Sequence, residues 1–230
     1  MRVLDSSVPY SVLPGNHDMT TGDKQDATST LRYNKYFGPA RYQGQPWYGG
    51  HLGKRNDDNY CFFEGAGIKF MVINLEYAPT DLDIQWASQI VNKYNNFRVI
   101  LATHCYMQTH RRDTICGGGG GATGNSGEQI WDRFVRKHAN IFMVVSGHVD
   151  GVVNQTSVND FGGKVIEILT NYQCLDNGGN GWLRTLRFVP SENKIYSEAY
   201  SPMLKQYKKD PGESFVLDFD MSCAVKKKEP

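Results

Sequence analysis

The sequence predicts an α/β fold in which two mixed β-sheets pack face to face between flanking helices. Three observations predict it. Short β-rich runs recur along the whole chain, two amphipathic helical segments each lead into an apolar strand, and the last third alternates strands and turns without a helical period. Helix-to-strand crossovers belong to the first two thirds, and hairpin-like connections to the remainder.

In chain order, Val8–Leu13 reads as the first strand and ends on Pro14-Gly15-Asn16-His17-Asp18. Tyr60–Phe63 and Ile68–Leu75 follow as apolar strands. Over Asp81–Tyr94, Leu82, Ile84, Trp86, Ile90 and Val91 recur at near-helical spacing, with Asp81 placed as N-cap. Val99–Thr103 is a strand that runs into His104. Glu128–His138 carries Ile130, Trp131, Phe134 and Val135 as one apolar stripe and reads as the second helix. Ile141–Val145, Lys164–Leu169, Trp182–Val189, Ile195–Ala199 and Phe215–Phe219 complete the strands. Gly117–Gly121, extended through Gly127, reads as a mobile surface loop, the alternative being a lid that touches ligand. A phosphate-binding P-loop requires Gly-x4-Gly-Lys-Ser/Thr between strand and helix, and no Lys follows here.

Composition narrows the function classes. The 230 residues hold 25 Lys+Arg against 24 Asp+Glu, a formal net charge of +1, which excludes broad electrostatic capture of nucleic acid. No apolar run approaches the ~20 residues of a membrane span, and the first ten residues show no signal-peptide core. Residues 1–230 are expected to form a single domain, with 223–230, which include Lys226-Lys227-Lys228, as a disordered tail. The five cysteines (Cys61, Cys105, Cys116, Cys174, Cys223) form no C-x-x-C pair, so one or two disulfides stay open and a zinc knuckle does not. Asn154-Gln155-Thr156 is a lone glycosylation triplet.

Three strand ends concentrate chemistry. Asn16-His17-Asp18, His104 and Gly147-His148-Val149-Asp150 hold half of the six histidines, together with an amide and two carboxylates. These are metal-ligand types, and open α/β sheets bind ligands at the carboxyl ends of their strands. Each group also has a structural reading: a hydrogen-bonded His104, Asn16 and Asp18 as turn formers, Gly147-His148 as a tight turn. The same placement three times over favours one common site.

Gly15-Asn16-His17-Asp18, then His104, then Gly147-His148-Val149-Asp150 resemble the last three motifs of the calcineurin-like metallophosphoesterases. That family runs Asp-x-His, Gly-Asp-x-x-Asp, Gly-Asn-His-Asp/Glu, His, Gly-His-x-His. Asn171-Tyr172-Gln173, Gly178–Arg184 and Tyr200-Ser201-Pro202 resemble a subgroup of secreted or cell-surface phosphoesterases. The resemblance implies an α/β/β/α sandwich and a hydrolase of small phosphate mono- or diesters. It implies two divalent metals (Mn, Fe, Zn or Mg) whose bridging hydroxide attacks phosphorus. Carried over by position, Asn16, His104 and His148 ligate one metal. Asp150 stands where the family has a His ligand to the other. His17 serves the transition state or the leaving oxygen, and Asp18 orients His17 or its loop. The loop Cys105–Arg112 becomes a candidate cleft wall. Arg111 and Arg112 either meet phosphate there or stay solvated, and Trp47, Tyr48, Tyr106, Tyr172 and Trp182 either line the cleft or pack.

Two departures shape the expectation. No Asp-x-His precedes Asn16, and Gly22-Asp23-Lys24-Gln25-Asp26 matches Gly-Asp-x-x-Asp in letters but follows the Gly-Asn-His-Asp motif, in a polar run. Asp150 replaces a His, either as a harder ligand that tilts the site toward Mn, Mg or Fe or as no ligand. The chain then reads as an N-terminally truncated phosphoesterase, holding at most one metal well and impaired in turnover. A sheet edge left uncovered invites self-association. The other reading is a non-catalytic or partner-completed phosphoesterase-like binding module.

Overall fold

Residues 68–75 alternate apolar side chains to two faces without a polar side, so the sheet they build must be covered twice. The computed structural model describes residues 2–5, 7–19, 30–115, 124–210 and 212–221. Its strands are β1 (Tyr48–His51), β2 (Asn59–Gly65), β3 (Ile68–Leu75), β4 (Arg98–Thr103), β5 (Ile141–Ser146), β6 (Gly151–Val158), β7 (Lys164–Asn171), β8 (Leu183–Val189), β9 (Lys194–Ser201), β10 (Gln206–Tyr207) and β11 (Phe215–Asp218). Its longer helices are α1 (Leu31–Phe37), α2 (Asp81–Lys93) and α3 (Gly127–Arg133).

The large sheet has seven strands in the order β1-β2-β3-β4-β5-β7-β6. The four central strands β3, β4, β5 and β7 are parallel, and the outer ones antiparallel. The second sheet is antiparallel, with β8 along one side of β9 and both β11 and β10 along the other. Met71, Ile73 and Leu75 point toward α2 and α3, where Ile84, Ile130 and Phe134 meet them. Ile68 and Phe70, with Ile100, Phe142 and Ile166, point the other way and close against Ile195, Phe188 and Phe219 of the second sheet. The architecture is the predicted pair of face-to-face sheets with flanking helices.

Several local expectations change. Val8–Leu13 is not a strand; Pro9 and Pro14 bracket it and withhold two ladder donors, and the segment runs irregularly over the sheet. The N-cap of α2 is Thr80, not Asp81, because the Thr80 hydroxyl accepts from the Asp83 amide while the Asp83 carboxylate accepts from the Thr80 amide at 2.6 Å. The second helix is shorter than its apolar stripe: α3 stops at Arg133, and Val135–Lys137 tightens into a 3-10 turn. Among the described residues, Cys61, Cys105 and Cys174 form no disulfide; Cys116, Cys223, the glycine run 117–121, the tail from 223 and Asp23 with Asp26 lie outside the described residues. No helix among the described residues is long and apolar enough to cross a membrane.

Candidate metal centre

Parallel strands align their carboxyl ends, and this alignment assembles the site. The pair Leu75–Thr103 closes the β3–β4 ladder, so Glu76 and His104 leave the sheet side by side. β5 ends one strand further on, and the Gly147 amide donates to the His104 carbonyl at 3.0 Å, tying the two loops together.

Gly15 to Asp18 form a tight 3-10 turn on the opposite side of His104. The Gly15 amide donates to the Asp18 carboxylate at 2.9 Å, and the Asp18 amide returns a bond to the Gly15 carbonyl at 3.0 Å. Glycine is required at 15 by close approach: a β-carbon there would stand 2.9 Å from His104 Cε1. Asn16 thereby reaches His104, its Oδ1 lying 2.9 Å from His104 Nε2. On the other side His148 Nδ1 lies 3.0 Å from the same Nε2. His148 holds the left-handed conformation (φ +67°), which costs a non-glycine residue roughly 1–3 kcal/mol and concentrates at functional sites. The Asn171 amide steadies it by donating to the His148 carbonyl at 3.0 Å. Tyr77, buried, packs its ring 5.8 Å from that of His104 and 5.7 Å from that of His148.

The chemistry of this donor set fits a divalent cation. Ligands about 2.1 Å from an ion and at right angles to one another stand about 3.0 Å apart, the spacing seen on both sides of His104 Nε2. One proton on that nitrogen satisfies one of its two contacts; a cation among the three donors satisfies both. Burial, and then the neighbouring His148 ring, pull the His104 imidazole down to about 4, so it offers a lone pair at neutral pH.

The remaining sequence-derived residues lie nearby with other partners. His17 and Asp18 are exposed on the turn. The Asp150 carboxylate accepts from the Asn171 amide at 3.1 Å and pairs with the exposed Cys174 thiol. Arg112 meets no open cleft: its guanidinium grips the fully buried Glu167 carboxylate at 2.6 and 2.8 Å and stacks 3.9 Å over Trp131. The loop behind His104 folds inward, with Tyr106 and Met107 buried. Trp47 and Tyr48 pack on Tyr42. Tyr172 and Trp182 line a cavity of about 330 Å³ beside Asn171.

Sequence reasoning missed three carboxylates on the same edge. Asp58, Glu76 and Asp83 bring ligating oxygens within 4.8 Å of one another. Burial, then the Asp83 charge, push Glu76 up to about 8, and burial pushes Asp58 well above the usual carboxylate range. Two of them have a protein partner in reach: the Asp58 carboxylate accepts from the Glu76 amide and that of Asp83 from Thr80. Glu76 was findable, since it follows the apolar run Ile68–Leu75 as His104 follows Val99–Thr103.

No family model matches the chain. It is 32% identical over 242 aligned residues to an uncharacterized protein, YvnB, of Bacillus subtilis (strain 168), an alignment that takes in 100% of this chain and 18% of that protein. The chain thus spans less than a fifth of the curated relative's length. Among solved structures it is similar to a dimetal phosphatase from Danio rerio, with a TM-score of 0.52 at 11% identity over 90% of this chain and 71% of the other. It also aligns, at a TM-score of 0.35 and 14% identity, with a putative 5'-nucleotidase from Staphylococcus aureus over 93% of this chain and 39% of that one. The fold is that of a metallophosphoesterase-like sandwich.

Proposed function

We propose that the chain carries an ion-binding part of a phosphate-ester hydrolase site, with Asn16, His104 and His148 as protein ligands to one divalent cation. The observation that carries this reading is the meeting of three donors, drawn from positions 88 and 44 residues apart, at the strand-end edge of this sandwich. When bound, such an ion polarises a phosphoryl oxygen and lowers the pKa of a coordinated water.

The chain's own residues supply the rest. His104, held neutral by burial, coordinates without first losing a proton. His17, exposed beside Asn16, would deliver a proton to the departing ester oxygen. Asp18 acts through the turn, accepting the Gly15 amide and so fixing where Asn16 and His17 stand. Tyr77 covers the two imidazoles and keeps water from that side. Asp150, whose carboxylate accepts from the Asn171 amide, would be the residue that holds a second ion.

Calorimetric titration with Mn, run beside hydrolysis of p-nitrophenyl phosphate and its bis ester, tests the proposal. One Mn site is expected, abolished by His104→Ala, with any hydrolysis abolished by His17→Ala. Absence of Mn binding, or binding indifferent to His104→Ala, sinks the reading. A partner-completed module is the second reading, favoured by an apolar hollow of about 520 Å³ between the irregular segment at Pro9 and Phe62, Phe63 and Phe97. A strictly monomeric mass in solution, with no partner, counts against it.

A further inference from the structure

Asn16 has to be held within 3 Å of His104, yet the segment leading to it, residues 9–15, belongs to no sheet. Something other than a β-ladder must fix it. The segment's anchor is the Val12 carbonyl, four residues before Asn16. It accepts from Asn59 Nδ2 at 3.0 Å and from the Tyr33 hydroxyl at 3.0 Å. Asn59, at the start of β2, is 1% exposed and all its amide groups are engaged. Its second N–H goes to the Asn56 carbonyl at 2.9 Å, and its oxygen accepts from the buried Asn74 of β3 at 2.8 Å. Asn74 in turn accepts from the Ser11 hydroxyl at 3.4 Å. An amide with three such partners has one orientation.

We infer that Asn59 and Tyr33 are positioning residues for the metal centre: by clamping the Val12 carbonyl they set the place of Asn16 against His104. The clamp rests on the reading of Asn16 as a ligand, and it acts through the short link of Val12 to Asn16. Pro14, buried in that link, restricts its backbone, so a shift at Val12 passes on to the turn. Outer partners of metal ligands typically alter affinity by 10–100-fold when removed.

The test compares wild type with Asn59→Asp, which keeps the acceptor for Asn74 but loses both donors, and with Tyr33→Phe, which loses one hydroxyl and keeps the ring. Two readouts are taken on each: Mn affinity by calorimetry, and the through-space NMR contact between Gly15 and the His104 ring. Expected are a loss of Mn affinity of about tenfold or more in Asn59→Asp, a smaller loss in Tyr33→Phe, and a weakened Gly15–His104 contact in both. Amide-exchange protection in α2 and β3–β5 is expected to stay as in wild type. Unchanged affinity and an unchanged contact in a folded variant overturn the clamp, whatever the melting temperature does. If wild type binds no Mn, the hydrolase reading fails, and the clamp is judged on the Gly15–His104 contact alone. Should Asn59→Asp not fold, Tyr33→Phe decides.

Discussion

Replacing Glu76 with Gln should stabilise the protein at neutral pH and flatten its pH dependence. Glu76 shares its surroundings with Asp58 and Asp83, and its folded-state pKa stands at about 8 against an ordinary 4.5. The folded protein therefore holds this proton more tightly than the unfolded chain does. Unfolding releases it between those two values, so stability falls as pH rises from 4.5 through about 8. At about 1.4 kcal/mol per pH unit, the cost accumulated by pH 7 is at most about 3.5 kcal/mol. For a chain of this length that corresponds to roughly 7–14 °C in melting temperature. The assay is urea unfolding from pH 5 to 8 in a chelator, so that no cation screens the carboxylates. Wild type should lose stability across the window, and Glu76→Gln should lose markedly less, the residual slope belonging to Asp58. An equal slope in the two proteins would show that the triad does not trap a proton, and would refute the reasoning. Repeating the series with Mn or Ca exposes the other outcome: a cation that stabilises wild type but not Glu76→Gln makes the triad a cation site.

Two further outcomes follow from single contacts. Arg112→Met should destabilise by about 3–5 kcal/mol in urea unfolding, because Glu167 is left charged and fully buried, and Arg112→Met/Glu167→Leu should recover most of the loss. Gly15→Ala should weaken Mn binding about tenfold or more by driving the His104 ring aside, with global stability changed far less; calorimetry and thermal unfolding measure the two.

The fold was legible where pattern and burial agree. β3 spans Ile68–Leu75 as the sequence predicts, because a strand covered on both faces needs an unbroken apolar run. Two edge strands of the large sheet were not legible. β6, Gly151–Val158, carries Asn154, Gln155, Thr156 and Ser157, and its pairing to β7 supplies what its side chains do not advertise. β1 holds two glycines, Gly49 and Gly50, against the ring of Tyr60, a close approach that removes any propensity signal. α1 is seven residues long and bound by Thr30, Asn34 and Asp57 through side chains, with little apolar stripe to read.

The candidate site divides along the same line. Asn16, His104 and His148 were legible because each stands at a loop directly behind or beside an apolar run, and parallel strands bring such ends to one edge. What the sequence could not display is how the edge is held. Val8–Leu13 has the letters of a strand, and a strand would have placed Asn16 by its ladder. The structure replaces the ladder with Asn59, Asn74 and Tyr33, polar residues whose partners lie 47, 63 and 21 positions away. Hydrogen bonds over such separations leave no periodicity. Asp58 and Asp83 are hidden for the same reason: a carboxylate before a strand and one in a helix's first turn look like ordinary capping and turn residues until the chain folds them against Glu76. Legibility here tracks the range of the interaction, so the residues proposed to position the candidate site are the ones only the folded chain brings into view.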